Sequence, residues 1–255
     1  MTDPTEARTV GYAIRDGAAW ITLQRPERRN AIDHATRALL EEAIASAELD
    51  AAVRLIVLTG TGTAFSAGVD LKETAADHAA AERLTASLDR ATKPVLAAVN
   101  GPAAGGGFEL ALAADLRIAS STATFSLPEA SIGSLPGSGG TQRLMRATTP
   151  ARALRMLLTG QPIDAATALE WGIVSDVVAP DELIPLAERL AARIAANAPL
   201  SLLAMKRATR AAAELPLAAG LELERSLWAA LANTQDRAEG RGAFRERRPP
   251  AFKGR

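Results

Sequence analysis

Cysteine is absent from the 255-residue sequence, and histidine occurs only twice. The lack of thiols excludes disulfides, thiolate zinc sites and cysteine nucleophiles, and it is typical of proteins of the reducing cytoplasm. His34 and His78 are isolated from each other, so the sequence predicts no metal site. We therefore expect a cytoplasmic protein without a bound metal.

A surplus of one sign of charge and long hydrophobic runs are also lacking. Lysine and arginine total 29, as do aspartate and glutamate, so the formal net charge is zero. Nucleic-acid binding relies on a basic surplus, and this balance argues against such a partner. No run of about 18 apolar residues is present to span a bilayer, and residues 1–8 lack the apolar segment of a secretory signal. The 48% of hydrophobic residues is ample for a core, so we expect a soluble, folded protein without a membrane partner.

The middle of the chain predicts a strand, a glycine turn and a helix in close succession. Residues 94–99 form an uninterrupted apolar strand, which the sequence Asn-Gly-Pro at 100–102 ends. Three glycines at 105–107 lead into a helix-favouring segment at 108–114. The unpaired N–H groups of a helix start bind negative charge, and glycine lets a ligand approach them closely. Because Glu109 lies in the first turn of this helix, the stretch suggests chemistry rather than packing.

The pattern on either side predicts a parallel α/β core that is followed by a helical region. A hairpin around Asp16-Gly17, a helix capped by Asp33 and an apolar strand give the first strand–helix–strand unit. A second glycine-rich loop at 133–140 precedes a helix from Thr141. The predicted strands lie at residues 10–16, 18–24, 54–59, 94–99, 116–119 and 124–127. We divide the chain into an α/β core at 1–180 and a helical C-terminal region at 181–255.

Two further segments carry expectations about the surface. Residues 70–92 are alanine-rich and polar, and we predict one or two mobile helices over a site. Near the C-terminus, one helix has apolar residues on two faces, which is typical of a subunit interface. The first face carries Leu217, Leu221, Trp228 and Leu231, and the second carries Leu223 and Leu227.

Simpler or different interpretations exist for several of these features. Glu109 could compensate the dipole of its own helix, and Glu129 could be a solvent-facing turn residue. Gly60 and Gly62 suggest a dinucleotide fold only weakly, because the third glycine of that motif is missing. Residues 64–68 are similar to the nucleophile elbow of serine hydrolases without its first glycine, which disfavours that class.

Four motifs, in order along the chain, give the sequence a resemblance to the enoyl-CoA hydratase/isomerase (crotonase) family. The likeness extends from about residue 11 to residue 255, and it includes LQRP at 23–26 and RPPAFK at 248–253. The motifs are FSAGVDLKE at 65–73, AVNG at 98–101 with GGGFE at 105–109, PE at 128–129, and LPGSGGTQRL at 135–144.

The resemblance implies a fold, an assembly and a substrate class. The fold is the crotonase-like (ClpP/crotonase) spiral of ββα units with a helical C-terminal trimerisation region, assembled as a homotrimer or as a hexamer of two trimers. The substrates are coenzyme A thioesters, and no separate cofactor is implied. In the family, two backbone N–H groups form an oxyanion hole for the thioester oxygen, and the matching positions are Val69 and Gly106. Members that add water use two glutamates, which match Glu109 and Glu129.

This assignment agrees with the physical demands of hydration. Adding water to a conjugated thioester builds negative charge on the carbonyl oxygen, and fixed N–H donors stabilise that charge. By resemblance we assign the α-carbon proton transfer to Glu129 and the water to Glu109. Glu129 would then be protonated and Glu109 ionised in the hydrating direction, so the two carboxyl groups need different environments.

The resemblance also implies contacts with the CoA part of the substrate. Lys72 and the C-terminal residues Phe252 and Lys253 could approach its phosphates, the latter two across a subunit boundary together with Arg245, Arg247 and Arg248. The full set of predicted substrate-binding residues is Arg25, Arg28, Ala67, Gly68, Asp70, Leu71, Lys72, Phe252 and Lys253.

We therefore predict an enoyl-CoA hydratase of fatty-acid metabolism, which reversibly converts a 2-trans-enoyl-CoA to a 3-hydroxyacyl-CoA by syn addition of water. Within the same family, the alternative is an enoyl-CoA isomerase or a specialised acyl-CoA dehydratase. An RNA-binding role, to which some relatives of the fold have been linked, is disfavoured by the zero net charge. The segment 70–94 has no aromatic residue, so acyl chain length and branching stay open.

Overall fold

The computed structural model describes residues 8–72 and 83–255. It confirms the predicted β-hairpin near the start of the described residues. Strands β1 (Val10–Arg15) and β2 (Ala18–Leu23) pair antiparallel. The turn residues Asp16 and Gly17 have φ values of 48° and 78°, as a two-residue hairpin turn with the twist of the strands requires.

Two sheets form the framework of the chain. The larger sheet has six strands in the order β1-β2-β3-β4-β6-β9 and is parallel from β2 onward. The smaller sheet has the order β5-β7-β8. The remaining strands are β3 (Leu55–Gly60), β4 (Val95–Val99), β5 (Ala103–Ala104), β6 (Leu116–Ser120), β7 (Thr124–Ser126), β8 (Ile163–Asp164) and β9 (Asp176–Val178).

Helices cover the larger sheet and make up most of the C-terminal region. Short 3₁₀ segments lie at Pro26–Arg28, Glu129–Ile132 and Pro180–Glu182. The α-helices of the described residues are α1 (His34–Leu49), α2 (Ala86–Arg90), α3 (Gly106–Ala113), α4 (Gly140–Ala147), α5 (Pro150–Thr159), α6 (Ala165–Glu170), α7 (Leu183–Ala195), α8 (Pro199–Ala211), α9 (Leu217–Leu231) and α10 (Gln235–Glu246).

The predicted cap of the first helix is confirmed. The Asp33 carboxylate accepts the Thr36 N–H at 2.8 Å, which satisfies one of the unpaired donors of the helix start. The predicted apolar face of α1 is buried in the core: Leu40, Ala43, Ile44 and Ala47.

The larger sheet is covered on both faces, which explains why its parallel strands are almost continuously apolar. One face packs against α1 and α3, with Ile56 and Leu58 fully buried. The other face packs against α7 through Leu183, Ala187 and Ala191. The first helix of the predicted C-terminal region thus covers the sheet, and the division at residue 180 stays a prediction.

The parallel arrangement of the larger sheet places the loops that follow β3 and β4 at the same edge of that sheet. Strands β3 and β4 run in the same direction, so their carboxyl ends and the loops at 61–68 and 100–105 come together. Ligand sites of open parallel sheets lie outside this edge.

Several sequence predictions are corrected by the structure. The central helix begins at Gly106 rather than at residue 108, and Ala103–Ala104 form a short strand. The segment predicted as mobile helices over a site includes the helix Ala86–Arg90, whose residues 86–88 are buried. The other part of that prediction, residues 73–82, lies outside the described residues.

Helix α9, in the C-terminal region, has two apolar faces, as predicted. Leu223 and Leu227 are partly buried and line a cavity shared with α8. Leu217, Leu221 and Trp228 remain 78%, 54% and 56% exposed in the single chain. The subunit interface stays a prediction. Within the described ranges, no helix is long and apolar enough to cross a membrane.

Asp115, between α3 and β6, joins α8 to the core through a partly buried charge network. Its Oδ2 lies 2.7 Å from Lys206 Nζ and its Oδ1 lies 3.0 Å from Arg210 Nη2. Lys206 is 8% exposed, and burial lowers its pKa while Asp115 opposes that shift. The ammonium group therefore depends on this carboxylate.

We expect Asp115→Asn to lower the free energy of unfolding by about 3 kcal/mol, because it leaves the buried Lys206 charge without its counter-ion. Chemical denaturation measures the change. Asp181→Asn, at an exposed position, serves as the control and should be nearly neutral. Equal effects of the two substitutions would contradict this role.

Candidate active site

Two loops meet backbone against backbone at the carboxyl edge of the sheet. Ala104 N donates to Ser66 O at 3.0 Å. A Cβ atom on Gly107 would lie 2.4 Å from Ser66 O, and one on Gly68 would lie 2.7 Å from Ala104 O. Only glycine permits these approaches, and Gly68 also has a φ of +88°.

This contact brings the amides of Val69 and Gly106 together. Ile32 N donates to Gly68 O at 2.8 Å and Asp70 N donates to Ile32 O at 3.0 Å, so the intervening Val69 N–H points to the opposite side of its strand. The Gly106 N–H is one of the unpaired donors at the start of α3. A Cβ on Gly68 would lie 2.9 Å from Gly106 N, and one on Gly106 would lie 3.5 Å from Val69 N. Among the described residues neither amide has an acceptor, so both can donate to one external oxygen.

Glu109 is held by the second glycine-rich loop and not by its own helix. Its Oε1 accepts the N–H groups of Ser138 at 2.7 Å and Gly140 at 2.8 Å. Burial raises the pKa of Glu109, while these two amides and the Arg143 charge act in the opposite direction. The carboxylate therefore lies at the N-terminus of α4, where negative charge is stabilised. A role limited to the dipole of α3 does not account for this geometry.

Glu129 has a different environment. Its Oε1 would lie 3.1 Å from a Cβ on Gly105, and its Oε2 is buried without a hydrogen-bond partner among the described residues. Burial raises the pKa of Glu129, its own backbone N–H lowers it, and the negative charge of Glu109 raises it further. The interpretation of Glu129 as a solvent-facing turn residue does not fit this burial.

The two glutamates and the two amides line one cavity of about 410 Å³. Ala67 and Leu71 also line it, and their predicted role in substrate binding stays a prediction. Other lining residues had no predicted role in the site, among them Arg37, Arg83, Leu84, Ile132, Leu135 and Ser138.

The predicted CoA-binding residues near the first loop differ in their partners and in their exposure to solvent. Arg25 pairs with Asp33 at 2.9 Å and with Asp70 at 3.5 Å, so both Arg25 and Asp70 join the loop to the start of α1. Arg28 and Lys72 are exposed and accessible to a ligand.

Phe252 and Lys253 lie away from the cavity within one chain. Phe252 O accepts from Arg54 Nη2 at 3.4 Å, and Arg54 precedes β3 at the opposite, amino-terminal edge of the sheet. Lys253 N donates to Asp236 at 2.7 Å. A contribution of these two residues to a CoA site therefore needs a second copy of the chain.

An arginine that the sequence analysis quoted only as part of a motif supports the loop around Glu109. Arg143 Nη1 donates to Ser138 O at 2.7 Å and its Nη2 pairs with Asp89. Thr85 Oγ1 donates to the same carbonyl at 2.9 Å. Because Asp89 and Arg143 are 54 residues apart, no local spacing in the sequence indicated this network.

Among the described residues, the side chains that a serine hydrolase or a metalloenzyme would use are not arranged for those reactions. Ser66 is fully buried, and its hydroxyl donates to Asn30 O at 2.8 Å, which does not suit a nucleophile. His34 is an exposed residue at the start of α1. Within the described ranges, no group of three His, Cys, Asp or Glu side chains could hold a metal ion.

Comparisons with known proteins identify the relatives of this arrangement. The enoyl-CoA hydratase/isomerase family model matches residues 13–255. The (E)-benzylidenesuccinyl-CoA hydratase of Thauera aromatica is 44% identical over 253 residues, covering 96% of this chain and 99% of that protein. The 2,3-dehydroadipyl-CoA hydratase of Escherichia coli K12 is 43% identical over 241 residues, covering 92% and 94%. A crystal structure of an enoyl-CoA hydratase from Bacillus anthracis has a TM-score of 0.91 at 33% identity, covering 97% and 100%.

The half-buried Glu129 carboxyl group predicts a pH-dependent stability. Its raised pKa means that the folded chain disfavours the ionised form, a cost that is absent below the ordinary glutamate pKa and grows as the pH rises through it. We expect Glu129→Gln to raise Tm at pH 8, by about 2–4 °C for each kcal/mol of cost removed, and to lose this advantage near pH 4.

Thermal unfolding followed by circular dichroism at both pH values measures this effect. Glu42→Gln, at an exposed position of α1, is the control and should change Tm little at either pH. A Glu129→Gln protein that is less stable than the parent at pH 8 would show that the carboxylate has a stabilising partner.

Proposed function

Because the chain belongs to the enoyl-CoA hydratase/isomerase family and has the crotonase fold, we propose that it is a hydro-lyase that adds water reversibly to a 2-trans-enoyl-CoA. The product is a 3-hydroxyacyl-CoA. One observation carries the proposal: two carboxyl groups in unlike environments share a cavity with two amides that have no acceptor among the described residues.

The two amides act on the thioester oxygen. When water attacks C3, negative charge moves through C2 to the carbonyl oxygen. The Val69 and Gly106 N–H groups are fixed before the reaction, so they stabilise this enolate without reorganisation. Each donor of this kind typically contributes on the order of 10²–10³ in rate.

Glu109 orients and deprotonates the water. Its Oε1 is occupied by two backbone donors, which leaves Oε2 for the water molecule. Burial raises the pKa of Glu109 overall, and the same amides and Arg143 offset part of that rise by stabilising the ionised form that a base requires.

Glu129 supplies the proton to C2. Burial, the lack of a donor to Oε2 within the described ranges and the charge of Glu109 favour its protonated form. One O–H bond of water breaks, the C3–O and C2–H bonds form, and the C2–C3 double bond becomes single. Glu109 ends protonated and Glu129 ionised, and one proton passed from the first to the second restores the starting state. Delivery of both groups from one side gives syn addition.

Isomerisation is the alternative reaction of this family. Moving a double bond needs a single carboxyl group that takes a proton from one carbon and returns it to another, and Glu129 could do this alone. The fixed position of the Glu109 carboxylate favours hydration, because an isomerase does not need a second carboxyl group to orient a water molecule.

We also propose an assembly, a cellular location and a cofactor requirement for this enzyme. The exposed apolar face of α9 and the remote position of Phe252 and Lys253 support a homotrimer or a hexamer of two trimers, with these two residues reaching a neighbour's CoA. The absence of cysteine supports a cytoplasmic location. The enzyme needs no cofactor beyond the CoA of its substrate, and its balanced charge provides no basis for binding nucleic acid.

Substitution of each glutamate tests the mechanism. We expect Glu109→Gln and Glu129→Gln each to lower kcat for crotonyl-CoA hydration by about 10²–10⁴, because each removes a positioned acid or base while keeping its shape. The loss of absorbance of the conjugated thioester measures turnover, and calorimetric titration with a CoA ester should show binding within a few-fold of the parent.

The two substitutions also separate hydration from isomerisation. A Glu109→Gln protein that still moves the double bond of a 3-enoyl-CoA at the parent rate would favour the isomerase. Parent-like hydration by Glu129→Gln would remove that residue from the mechanism. Glu42→Gln again provides the control.

A further inference from the structure

Arg83 lies where the active-site cavity meets a second cavity. Its side chain lines both the 410 Å³ cavity and a neighbouring cavity of about 630 Å³. Its neighbour Leu84 belongs to the active site, since Leu84 N donates to Ser138 Oγ at 3.0 Å and Leu84 lines the first cavity. A ligand that fills the first cavity therefore meets a guanidinium group at this end.

The orientation of the substrate decides which part of it reaches Arg83. Under the proposed function, the thioester oxygen lies at Val69 and Gly106, and CoA leaves past Ala67 and Leu71. The acyl chain then extends the other way, toward Leu84 and the second glycine-rich loop. Apolar side chains line this part of the cavity: Leu84, Pro128, Ile132 and Leu135. Apart from the two glutamates, the charged lining residues are Arg37, on α1, and Arg83, and of these two only Arg83 also lines the second cavity.

Positive charge exceeds negative charge around Arg83. Arg83 and Arg143 share one carboxylate, Asp89, with Arg83 Nη2 at 3.4 Å from it. Arg146 donates to two neutral oxygens of Gln142, at 3.0 and 3.3 Å. The charged residues that line the second cavity are Arg83, Arg117, Arg143, Arg146 and Arg210 against Asp89, Asp115 and Glu214.

We propose that the preferred substrate carries a carboxylate at the far end of its acyl chain, so that it is a mono-CoA thioester of an unsaturated dicarboxylic acid, and that Arg83 binds this carboxylate. The proposal rests on the proposed hydratase function. A guanidinium group binds a carboxylate through two parallel hydrogen bonds, which an apolar acyl end cannot form.

The existing ion pair of Arg83 does not prevent this exchange. The Arg83 side chain is 64% exposed, and ion pairs at such positions contribute little to stability. Asp89 keeps Arg143 as its partner when Arg83 turns to a ligand. The network that holds the Ser138 loop is therefore unaffected by the substrate.

The test compares two series of CoA esters with equal carbon counts: 2-enoyl-CoA esters and their counterparts that end in a carboxylate. We expect the parent enzyme to hydrate the carboxylated series with a higher kcat/KM. Arg83→Gln should lower kcat/KM by about 10- to 100-fold for the carboxylated esters and by less than about threefold for the apolar ones. Arg83→Lys keeps the positive charge but cannot form the two parallel hydrogen bonds of a guanidinium group. Its kcat/KM for the carboxylated esters should therefore lie between those of the parent and of Arg83→Gln.

A matched control and an additional ligand complete the design. Arg189→Gln removes an exposed arginine from α7, on the other face of the sheet, and should not change either series. ADP distinguishes a second source of anionic groups, the phosphates of CoA. If Arg83→Gln weakened ADP binding and affected both ester series equally, Arg83 would serve CoA and the proposal would be overturned.

The remaining outcomes separate this inference from the function on which it rests. Hydration of crotonyl-CoA without any preference for carboxylated esters would overturn the inference and leave the hydratase proposal intact. Failure to hydrate any ester of either series would overturn the hydratase proposal itself.

Discussion

The site depends on one contact, in which two stretches of backbone pack against each other with no side chain between them. The loops after β3 and β4 come so close that Ser66 O lies 2.4 Å from where a Cβ of Gly107 would be. Any other residue at Gly107 would force the loops apart, and the amides of Val69 and Gly106 would separate with them. The glycines that look like a flexible turn in the sequence therefore create a rigid pair of donors. The parallel sheet places both loops at the same edge, and this is how the fold serves the chemistry.

The second requirement is that two carboxyl groups in one cavity differ. Glu109 receives two backbone donors at the start of α4, whereas Glu129 has no donor for Oε2 among the described residues. Glu109 is buried and Glu129 is half-buried, so the asymmetry comes both from the hydrogen bonds and from the extent of burial. Arg143 takes part indirectly, because it fixes the carbonyl of Ser138 while the Ser138 N–H holds Glu109. A carboxyl group with one buried oxygen that has no hydrogen-bond partner among the described residues costs stability, as is usual where a site is arranged for reaction rather than for packing.

Sequence reasoning predicted the long and periodic elements well, and missed features that depend on distant partners. The hairpin at Asp16-Gly17 and the Asp33 cap follow from local rules, and the structure confirms both. The two- and three-residue strands β5, β8 and β9 are too short to give a periodic signal. Motif order indicated Glu109 and Glu129, but their unlike surroundings arise from a loop about thirty residues away along the chain and from burial. The network of Arg143 and the position of Arg83 depend on tertiary contacts that no spacing in one sequence reveals.

The central claim is that two fixed amides polarise the thioester oxygen of the substrate. Infrared difference spectroscopy of a bound 2-enoyl-CoA, labelled with ¹³C at the thioester carbonyl, observes this interaction directly. With Glu129→Gln as the protein, the ester stays unreacted during the measurement. Our account predicts a carbonyl stretch at lower frequency than for the same ester in water, because the bound oxygen accepts two preorganised hydrogen bonds from fixed backbone donors. A stretch at or above the frequency in water would contradict it.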